Sequence, residues 1–403
     1  MADSIKKPRL LVVTSTYPRW KGDTEPPFVH QLASRLTGRF DVTVVTSRSP
    51  GARTAEVMDG VHVRRYAYAP ASWETLIYGG GLVGNLHAAP WKVLLLPTYL
   101  LCWAWQVAKI THQRDFDVVH AHWFVPGAIV AALAARNIPM CVTAHGTDVL
   151  GLQGKRWRRL RKFIATRASA ITTVGNRIQS TLAAEGITPT KLLPMGVDFS
   201  KTFVKGIPKA HSSRILCVGR LAAAKRPEIA LKAFSQALHV HPALTLDMIG
   251  NGPAQRSLES LAEELGIMPR VIFHGRKSQT EIASMYRSAA AVIIASGGDE
   301  APEGLGLVAI EALGCGCPVI SAPNVALLAA LPDTAPIYYA RDSSSDALAE
   351  ALLKRLAAPL PEPPDAGNPP WHDQLIQKFG WESVADEYER TLNSLIPEHD
   401  LLK

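Results

Sequence analysis

The sequence predicts an α/β protein with two doubly wound parallel sheets. Short apolar runs that are typical of buried parallel strands, such as Arg9–Ser15, alternate with helical patterns along most of the chain. The alternation stops in a polar stretch between residues 199 and 213 and then starts again. Because 403 residues are more than one hydrophobic core usually serves, we expect two domains.

In the first half of the chain, helices separate most of the predicted strands. The strands are Arg9–Ser15, Val42–Thr46, Val61–Arg65, Val118–Ala121, Met140–Ala144 and Ala170–Thr173. The stretch after the first strand begins as a loop rich in Pro, Gly and Asp. Pro26 or Pro27 then opens a helix that runs to about Leu36, because proline is favoured in the first helical turn.

The second half repeats this pattern. Its predicted strands are Arg214–Val218, Leu244–Ile249, Val271–Phe273, Ala291–Ala295 and Pro318–Ser321. Its predicted helices are Pro227–Val240, Pro253–Leu265, Gln279–Ser288 and Leu307–Leu313, and the stretch Trp371–Leu395 also has a helical pattern. Ligands of such sheets bind outside the carboxyl ends of the strands, so the loops that follow the strands are the places to search for a site.

The composition is that of a globular protein, with 47% hydrophobic and 19% charged residues. The net charge of +8 suits nucleic acid, an anionic membrane or anionic substrates, and we recognise no nucleic-acid-binding module. The five cysteines are odd in number and lie mostly in apolar runs, as expected of reduced core thiols in a cytoplasmic protein. The first residues lead into a strand without a long apolar region, so we expect no secretory signal.

The stretch from Glu303 to Val319 has the strongest functional pattern. Gly304, Leu305 and Gly306 form a turn between a predicted strand and the N-terminus of a predicted helix, which is a ready anion site. Glu303 and Glu311 are eight residues apart, and a helical connection would separate them by about 12 Å. This spacing suits one carboxylate at a sugar and another at a ribose, with a diphosphate between them.

Two further loops of the second half point to a nucleoside diphosphate. Arg220 and Lys225, in VGRLAAAKRP, bring two cations to the loop after the first strand, next to Gly219. Such cations stabilise the negative charge that develops when a nucleoside diphosphate departs. Gly250 and Gly252, in IGNGP, follow another strand and allow a close backbone approach.

Three loops of the first half supply further candidates. Gly22, in the loop after the first strand, would let the backbone approach the diphosphate, and Asp148, in TAHGTD, is a candidate for acceptor contact. His120 and His122 lie on one face of a strand end, and we expect structural histidines there, with a metal pair as the alternative. The pair Asp115 and Asp117 precedes its strand, at the end away from the expected site, so we predict no metal site there.

Together these motifs resemble retaining glycosyltransferases of the GT-B fold and of the family-4 type. EGLGLVAIE is similar to their E-x7-E motif, and VGRLAAAK is similar to their GRL-xxx-K motif. The resemblance implies that His145 reaches the donor sugar, that Glu303 holds sugar hydroxyls and that Glu311 holds the ribose. It also places IGNGP by the nucleotide and Arg276, in VIFHGR, beside the base.

The resemblance further implies two Rossmann-like domains that face each other across a cleft. We expect an N-terminal acceptor-side domain over residues 1–198, a linker over 199–213 and a C-terminal donor-binding domain over 214–370. A C-terminal helix over 371–403 would return to the first domain. STYPRWKGDTEPPFV and IYGGGLVGNL look especially like bacterial enzymes of exopolysaccharide or lipopolysaccharide assembly, but SAPNVALLAALPD departs from the GG-x-PE turn that the family often has.

The implied reaction moves a sugar from a UDP- or GDP-sugar to an acceptor with retention of anomeric configuration. The implied acceptor is a saccharide linked to polyprenyl diphosphate. We expect no cofactor and no metal, because the two cations can do the electrostatic work of a metal ion. The alternatives are an isomerase like the nucleotide-sugar 2-epimerases, which the E-x7-E stretch disfavours, and a non-catalytic nucleotide-sugar-binding protein.

Two stretches suggest contact with a membrane surface, and packed or solvated helices are the alternative. Trp91–Ile110 is strongly apolar, yet its uncharged part is shorter than a spanning helix. Gly154–Phe163 is basic with aromatics between the charges, a composition that suits anionic lipid. The expected lipid-facing cations are Lys155, Arg156, Arg158, Arg159, Arg161 and Lys162. We therefore expect a cytoplasmic protein with peripheral contact to the inner face of the cell membrane.

Overall fold

The structure is a computed structural model that describes residues 7–23, 25, 27–79, 81–206, 212–296, 306–323, 325, 328, 331–358 and 368–397. The chain divides into two compact units. The first unit comprises Met1–Gly196 and Val384–Lys403, and the second comprises Val197–Ser383. Each unit is built on its own sheet.

The first unit has an eight-stranded sheet in the order β3-β4-β2-β1-β5-β6-β7-β8. The strands are β1 (Arg9–Val13), β2 (Asp41–Ser47), β3 (Ala55–Met58), β4 (Val61–Tyr66), β5 (Val118–His122), β6 (Met140–Ala144), β7 (Ala170–Thr173) and β8 (Lys191–Leu192). All neighbours pair in parallel except β3, which is antiparallel to β4 at the edge. The chain reverses its direction across the sheet between β1 and β5.

Helices cover this sheet. They are α1 (Phe28–Leu36), α2 (Gly81–Ala88), α3 (Leu96–Gln113), α4 (Ile129–Ala134), α5 (Lys155–Ala165) and α6 (Asn176–Ala184). The crossovers that contain α3, α4 and α5 all move in the same direction across the sheet. Because parallel crossovers are right-handed, these three helices lie in one layer on the same side, and α1 lies on the opposite side.

The second unit has a six-stranded parallel sheet in the order β11-β10-β9-β12-β13-β14. The strands are β9 (Arg214–Val218), β10 (Thr245–Ile249), β11 (Val271–Gly275), β12 (Ala291–Ile294), β13 (Val319–Ser321) and β14 (Ile337–Tyr339). The helices are α7 (Pro227–Val240), α8 (Gln255–Glu264), α9 (Gln279–Ser288), α10 (Leu307–Gly314), α11 (Ser345–Ala357) and α12 (Pro370–Phe379), and α13 (Trp381–Asn393) follows them. The prediction of two doubly wound parallel sheets is confirmed.

The start of the predicted linker is part of the second unit's core. Phe199 and Phe203 are buried among the side chains of α9 and α10. A methyl group added to Gly314 on α10 would come within 2.4 Å of the Phe199 ring, so this aromatic side chain fits against a glycine. Burial of two aromatic side chains ties this segment to the second unit, which the polar composition of the stretch did not indicate.

The predicted C-terminal helix consists of two helices. The side chains of Trp371, Leu375 and Phe379 lie on one face of α12 and are buried in the core of the second unit. Gly380 separates α12 from α13, which belongs to the first unit from Val384 onward. There the Tyr388 hydroxyl donates to the Leu193 carbonyl over 3.1 Å. The part of the chain that returns to the first unit therefore begins at Val384 and not at Trp371.

Candidate active site

A pocket in the second unit lies where the strand order reverses. β9 leads to β10 and β11 on one side, and β12 leads to β13 and β14 on the other. Open α/β sheets bind their ligands at this point, outside the carboxyl ends of the strands. The residues that line the pocket include Gly219, Arg220, Lys225, Ser296 and Gly306. The structure thus brings together residues that the sequence placed in two separate motifs.

The pocket is electrostatically suited to an anion. The starts of two helices line it, with Pro227 in the first turn of α7 and Val308 in the first turn of α10. The first amide groups of a helix have no partner within the helix and carry partial positive charge. Arg220 and Lys225 bring two cationic side chains to it. A nucleoside diphosphate would find here both hydrogen-bond donors and charge.

The glycine before α10 has a conformation that few other residues adopt. Gly306 has a φ of +61° and immediately precedes Leu307, the first residue of α10. Left-handed backbone is accessible to glycine without steric cost, so Gly306 turns the chain sharply into the helix. Glu303, Gly304 and Leu305, which the sequence places just before it, lie outside the described residues.

Gly250 and Gly252 hold the pocket loop against a neighbouring loop. A methyl group on Gly250 would lie 1.9 Å from the Gly219 carbonyl oxygen, and one on Gly252 would lie 2.0 Å from that of Leu221. The two loops exchange backbone hydrogen bonds, with the Gly219 amide donating to Ile249 and the Leu221 amide donating to the Asn251 carbonyl. These glycines therefore allow backbone to pack on backbone, which fixes the loop that carries Arg220.

Glu311 lies on α10 with its side chain partly buried. Burial raises its pKa to about 8, so the group is mostly protonated at neutral pH in the unliganded protein. The charge of Glu311 also contributes, after burial itself, to the raised pKa of Tyr286 nearby. Hydroxyl groups of a ligand that donate to Glu311 would favour its ionised form. Arg276 is exposed and directly follows β11, so it lies at the edge of the sheet formed by the carboxyl ends of the strands, as the pocket does.

In the first unit, the corresponding reversal point lies between β1 and β5. The loop after β1 carries Gly22, which is exposed and has a φ of +83°. Arg19 and Asp23, which flank the tip of this loop, form an ion pair of 2.6 Å. Tyr17 at its start bonds to Nδ1 of His30 over 2.6 Å. These contacts hold the loop at the carboxyl end of β1.

His145 lies at the carboxyl end of β6, beside two other buried histidines. Nδ1 of His122, at the end of β5, lies 2.9 Å from Nε2 of His145. Nε2 of His120 lies 2.7 Å from Oγ1 of Thr143. Burial lowers the pKa of His120 and of His145 to about 3 and the pKa of His122 well below its usual value, so all three rings are neutral. The hydrogen bonds of His120 and His122 fit structural histidines, as the sequence predicted for these two residues.

Two aromatic residues near His145 were not predicted from the sequence. The ring centroid of Trp123 lies 4.4 Å from that of His145, and the centroid of Phe28 lies 5.2 Å from it. Trp123 has a φ of +64°, which is rare for a bulky residue. Residues with such backbone conformations are concentrated at functional sites. The sequence did contain a signal for Trp123: it directly follows the predicted strand that ends in HAH, and ligands bind at the carboxyl ends of such strands.

Asp148 has a structural position that argues against the predicted contact with an acceptor. Its side chain is buried, and both carboxylate oxygens accept backbone hydrogen bonds. The amide of Phe124 donates to Oδ2 over 2.7 Å, while the amides of His145 and Gly146 donate to Oδ1 over 3.2 and 2.9 Å. Asp148 therefore fastens the loop that carries His145 to the segment after β5.

The aspartate pair lies at the amino end of β5, as predicted. Oδ2 of Asp117 accepts from the Arg9 amide over 2.6 Å, at the start of β1. Because β1 and β5 are parallel neighbours, this bond lies at the opposite end of the sheet from His122. Within the described ranges, no group of three or more His, Cys, Asp or Glu side chains is arranged to hold a metal ion.

Two family models match consecutive parts of the chain. The model described as Glycosyltransferase Family 4 matches residues 27–201, and the one described as Glycosyl transferases group 1 matches residues 199–365. A D-inositol 3-phosphate glycosyltransferase from Frankia alni is 30% identical over 292 residues, which are 63% of this chain and 70% of that protein.

Solved structures share the fold of the whole chain. Sucrose-phosphate synthase from Thermosynechococcus elongatus aligns with a TM-score of 0.73 and 18% identity over 97% of this chain and 99% of its own. HepE from Anabaena, solved in complex with UDP and glucose, aligns with a TM-score of 0.71 and 18% identity over 96% and 99%. These structures show the fold, and the two family models with the Frankia alni relative define the class of protein as a glycosyltransferase.

The family follows from the sequence matches. The chain belongs to the GT-B glycosyltransferases of the family-4 type. The anion pocket of the second unit lies within the part of the chain that the group 1 model matches, and His145 lies within the part that the Family 4 model matches.

Proposed function

We propose that the protein transfers a sugar from a UDP- or GDP-sugar to a saccharide linked to polyprenyl diphosphate, with retention and without a metal ion. The observation that supports the proposal most is the anion pocket, where Arg220, Lys225 and the first turns of α7 and α10 converge. UDP is the nucleotide that we favour, because HepE from Anabaena was solved with it.

In the proposed reaction, the pocket holds the diphosphate and stabilises the charge that develops on it as the sugar leaves. Arg220 and Lys225 act on the phosphate oxygens in this step. Glu303 holds sugar hydroxyls, Glu311 holds the ribose and His145 contacts the donor sugar. Retention follows if the acceptor attacks from the face that the diphosphate leaves and the diphosphate takes the proton of the acceptor.

For the acceptor, two chemistries are supported by different observations. A lipid-linked saccharide fits the exposed apolar side chains of the first unit, among them Leu101 and Trp105 on α3. A small phosphorylated cyclitol is the second candidate, because the Frankia alni relative is a D-inositol 3-phosphate glycosyltransferase. With a lipid-linked acceptor, the enzyme would work in the cytoplasm at the inner face of the cell membrane.

The test begins with a panel of UDP- and GDP-sugars, scored by the rise in melting temperature that a bound ligand produces. The best donor is then offered to polyprenyl-diphosphate-linked saccharide and to D-inositol 3-phosphate in parallel reactions. The proposal predicts transfer to the lipid-linked acceptor with retained anomeric configuration by NMR. An inverted product, transfer to the cyclitol alone, or an epimerised donor without transfer would each overturn a named part of it.

A further inference from the structure

The outer face of α3 carries large apolar side chains where a surface helix is normally polar. The inner face, with Tyr99, Trp103 and Val107, is fully buried and packs on the sheet. On the opposite face, Leu101 is 70% exposed and Trp105 is 63% exposed. Lys109 lies on the same face, with its Nζ 4.9 Å from the centroid of the Trp105 ring. Large apolar side chains on a second face of a helix are expected to be covered by a partner. Among the described residues, the segment Pro90–Gln113 is the one helix that is long and apolar enough to cross a membrane.

The apolar surface continues ahead of α3. In the short helical segment Pro90–Leu95, Val93 is 52% exposed and Leu94 is 76% exposed. The exposed rings of Trp73 and Trp91 contact each other edge to face, with centroids 5.8 Å apart. We call the surface formed by Trp73, Trp91, Val93, Leu94, Leu101 and Trp105 the apolar ridge. Exposed apolar surface of this extent marks an interaction site.

A basic helix lies in the same layer as the apolar ridge. α4 packs beside α3. The crossovers that contain α4 and α5 run in the same direction as the one that contains α3, so all three helices lie on the same side of the sheet. On α5 the exposed cations are Lys155, Arg156, Arg158, Arg159 and Lys162. Trp157 and Phe163 on α5 and Leu133 on α4 are also exposed. The solvent side of this layer thus combines apolar and basic side chains.

One of the predicted lipid-facing cations is excluded by the structure. Arg161 is buried and forms an ion pair with Glu185, to which its Nε donates over 2.8 Å. Its Nη1 donates to the Leu152 carbonyl over 2.8 Å. Arg161 therefore serves the fold, and the other five cations remain as the basic surface.

We propose that this face of the first unit docks on an anionic lipid bilayer, with the apolar ridge inserted and the α5 cations against the headgroups. The charge of α5 selects this partner, because its exposed cations suit a negatively charged surface and a neutral apolar partner would leave them unused. Tryptophan is favoured at membrane interfaces, and the ridge carries three. Insertion of one helix face reaches about 5–10 Å into the bilayer, and the inner face of α3 stays packed in the unit.

This inference rests on the proposed function only for its biological purpose, which is to bring the enzyme to a lipid-linked acceptor. The experiment is flotation of the full chain with vesicles of phosphatidylcholine alone or mixed with phosphatidylglycerol. Wild type should float with the mixed vesicles, and salt should weaken binding because it screens exposed charges. Leu101→Ser with Trp105→Ser, and Lys155→Glu with Arg158→Glu and Arg159→Glu, should each lower the bound-to-free ratio at least about tenfold.

The matched control is Val240→Ser with Ile272→Ser, which removes two exposed apolar side chains from the second unit and should leave flotation unchanged. All variants should bind the donor as wild type does, measured by thermal stabilisation. Unchanged donor binding shows that the variants are folded. Equal flotation of wild type and both docking variants would overturn the inference. The inference would also be overturned if wild type is a dimer that does not float and if Leu101→Ser with Trp105→Ser converts that dimer to a monomer. Either result leaves transfer to the acceptor, and thus the proposed function, to be judged separately.

Discussion

Nδ1 of His122 and Nε2 of His145 are 2.9 Å apart, and neither ring carries a charge. One of these nitrogens must donate and the other must accept, so the bond couples the tautomers of the two rings. Nδ1 of His145 has no hydrogen-bond partner among the described residues. Whether that nitrogen carries a proton is therefore linked to the tautomer of His122.

The first prediction tests His122 as a positioning residue. His122→Ala should lower kcat about tenfold or more with little change in the KM for donor, because His145 loses its fixed tautomer and orientation. His122→Gln, which can keep a hydrogen bond to His145, should restore a large part of the loss. Melting temperatures of both variants provide the control for folding. Equal kcat values for the Ala and Gln variants would mean that the bond itself has no role.

Glu311 should release a proton when a nucleotide sugar binds. With a pKa raised to about 8, its carboxyl group is mostly protonated at pH 7, and donation from ribose hydroxyls should lower that pKa. Affinity should then rise by up to about tenfold per pH unit as the pH increases towards 8. Calorimetry in buffers of different ionisation enthalpy measures the released proton.

A nucleotide sugar is the right ligand for this measurement, because a free diphosphate has a terminal phosphate that titrates in the same range. Glu311→Gln provides the control, because the side-chain amide of glutamine does not ionise in this pH range. The Gln variant should bind the donor with an affinity that does not depend on pH in this range. If wild type and variant release equal numbers of protons, Glu311 does not hold the ribose in its ionised form.

Local sequence signals were sufficient for the anion pocket but not for the surroundings of His145. Arg220, Lys225 and Gly306 follow parallel strands, and the carboxyl ends of such strands meet at one edge of a sheet. The bond between His122 and His145 depends on the pairing of β5 with β6, and the chain alone does not specify that register. The rare backbone conformation of Trp123 likewise needs the fold around it.

Arg161 shows the same limit for a charged helix. Five of the other ten residues of α5 are basic, so composition offered no reason to separate Arg161 from Arg159. The distinction comes from Glu185, which is 24 positions away along the chain and adjacent in space. Edge strands β3 and β14 were not assigned from sequence, because strands of three or four residues give weak periodic signals. Helix α11 was also not assigned, although its thirteen residues are long enough for a helical pattern.

The ion pair of Arg161 with Glu185 predicts a large difference in stability between two neighbouring arginines. Arg161→Ala should lower the free energy of unfolding by about 3–5 kcal/mol, because it leaves the largely buried carboxylate of Glu185 without its partner. Arg159→Ala, at an exposed position on the same helix, should change it by less than about 0.5 kcal/mol. Urea unfolding compares the two, and similar losses would show that the pair is not structurally important.

Transfer should proceed without a divalent metal ion. Arg220 and Lys225 line the anion pocket and can neutralise the charge on the departing diphosphate. Initial rates in saturating EDTA should therefore equal those in magnesium or manganese. Loss of activity in EDTA with recovery on addition of metal would show that the two cations do not fill this role.

The last prediction concerns the chemistry at the donor sugar. Because Glu303 is proposed to hold sugar hydroxyls, Glu303→Gln keeps the shape of the side chain and removes its charge. The charge matters most when the sugar becomes cationic in the transition state, so turnover should fall far more than donor affinity. Arg220→Ala should slow donor cleavage by roughly 2–4 kcal/mol, the usual scale for one preorganised electrostatic group.

The two variants distinguish positioning from covalent catalysis when they are combined with product analysis. NMR of the product should show the retained anomer for wild type and for the residual activity of Glu303→Gln. Mass spectrometry of enzyme trapped with a slow donor should show no attached sugar, because the diphosphate is proposed to leave from the face that the acceptor attacks. A glycosyl group on Glu303 would identify this residue as a nucleophile and would replace the proposed front-face reaction with a double displacement.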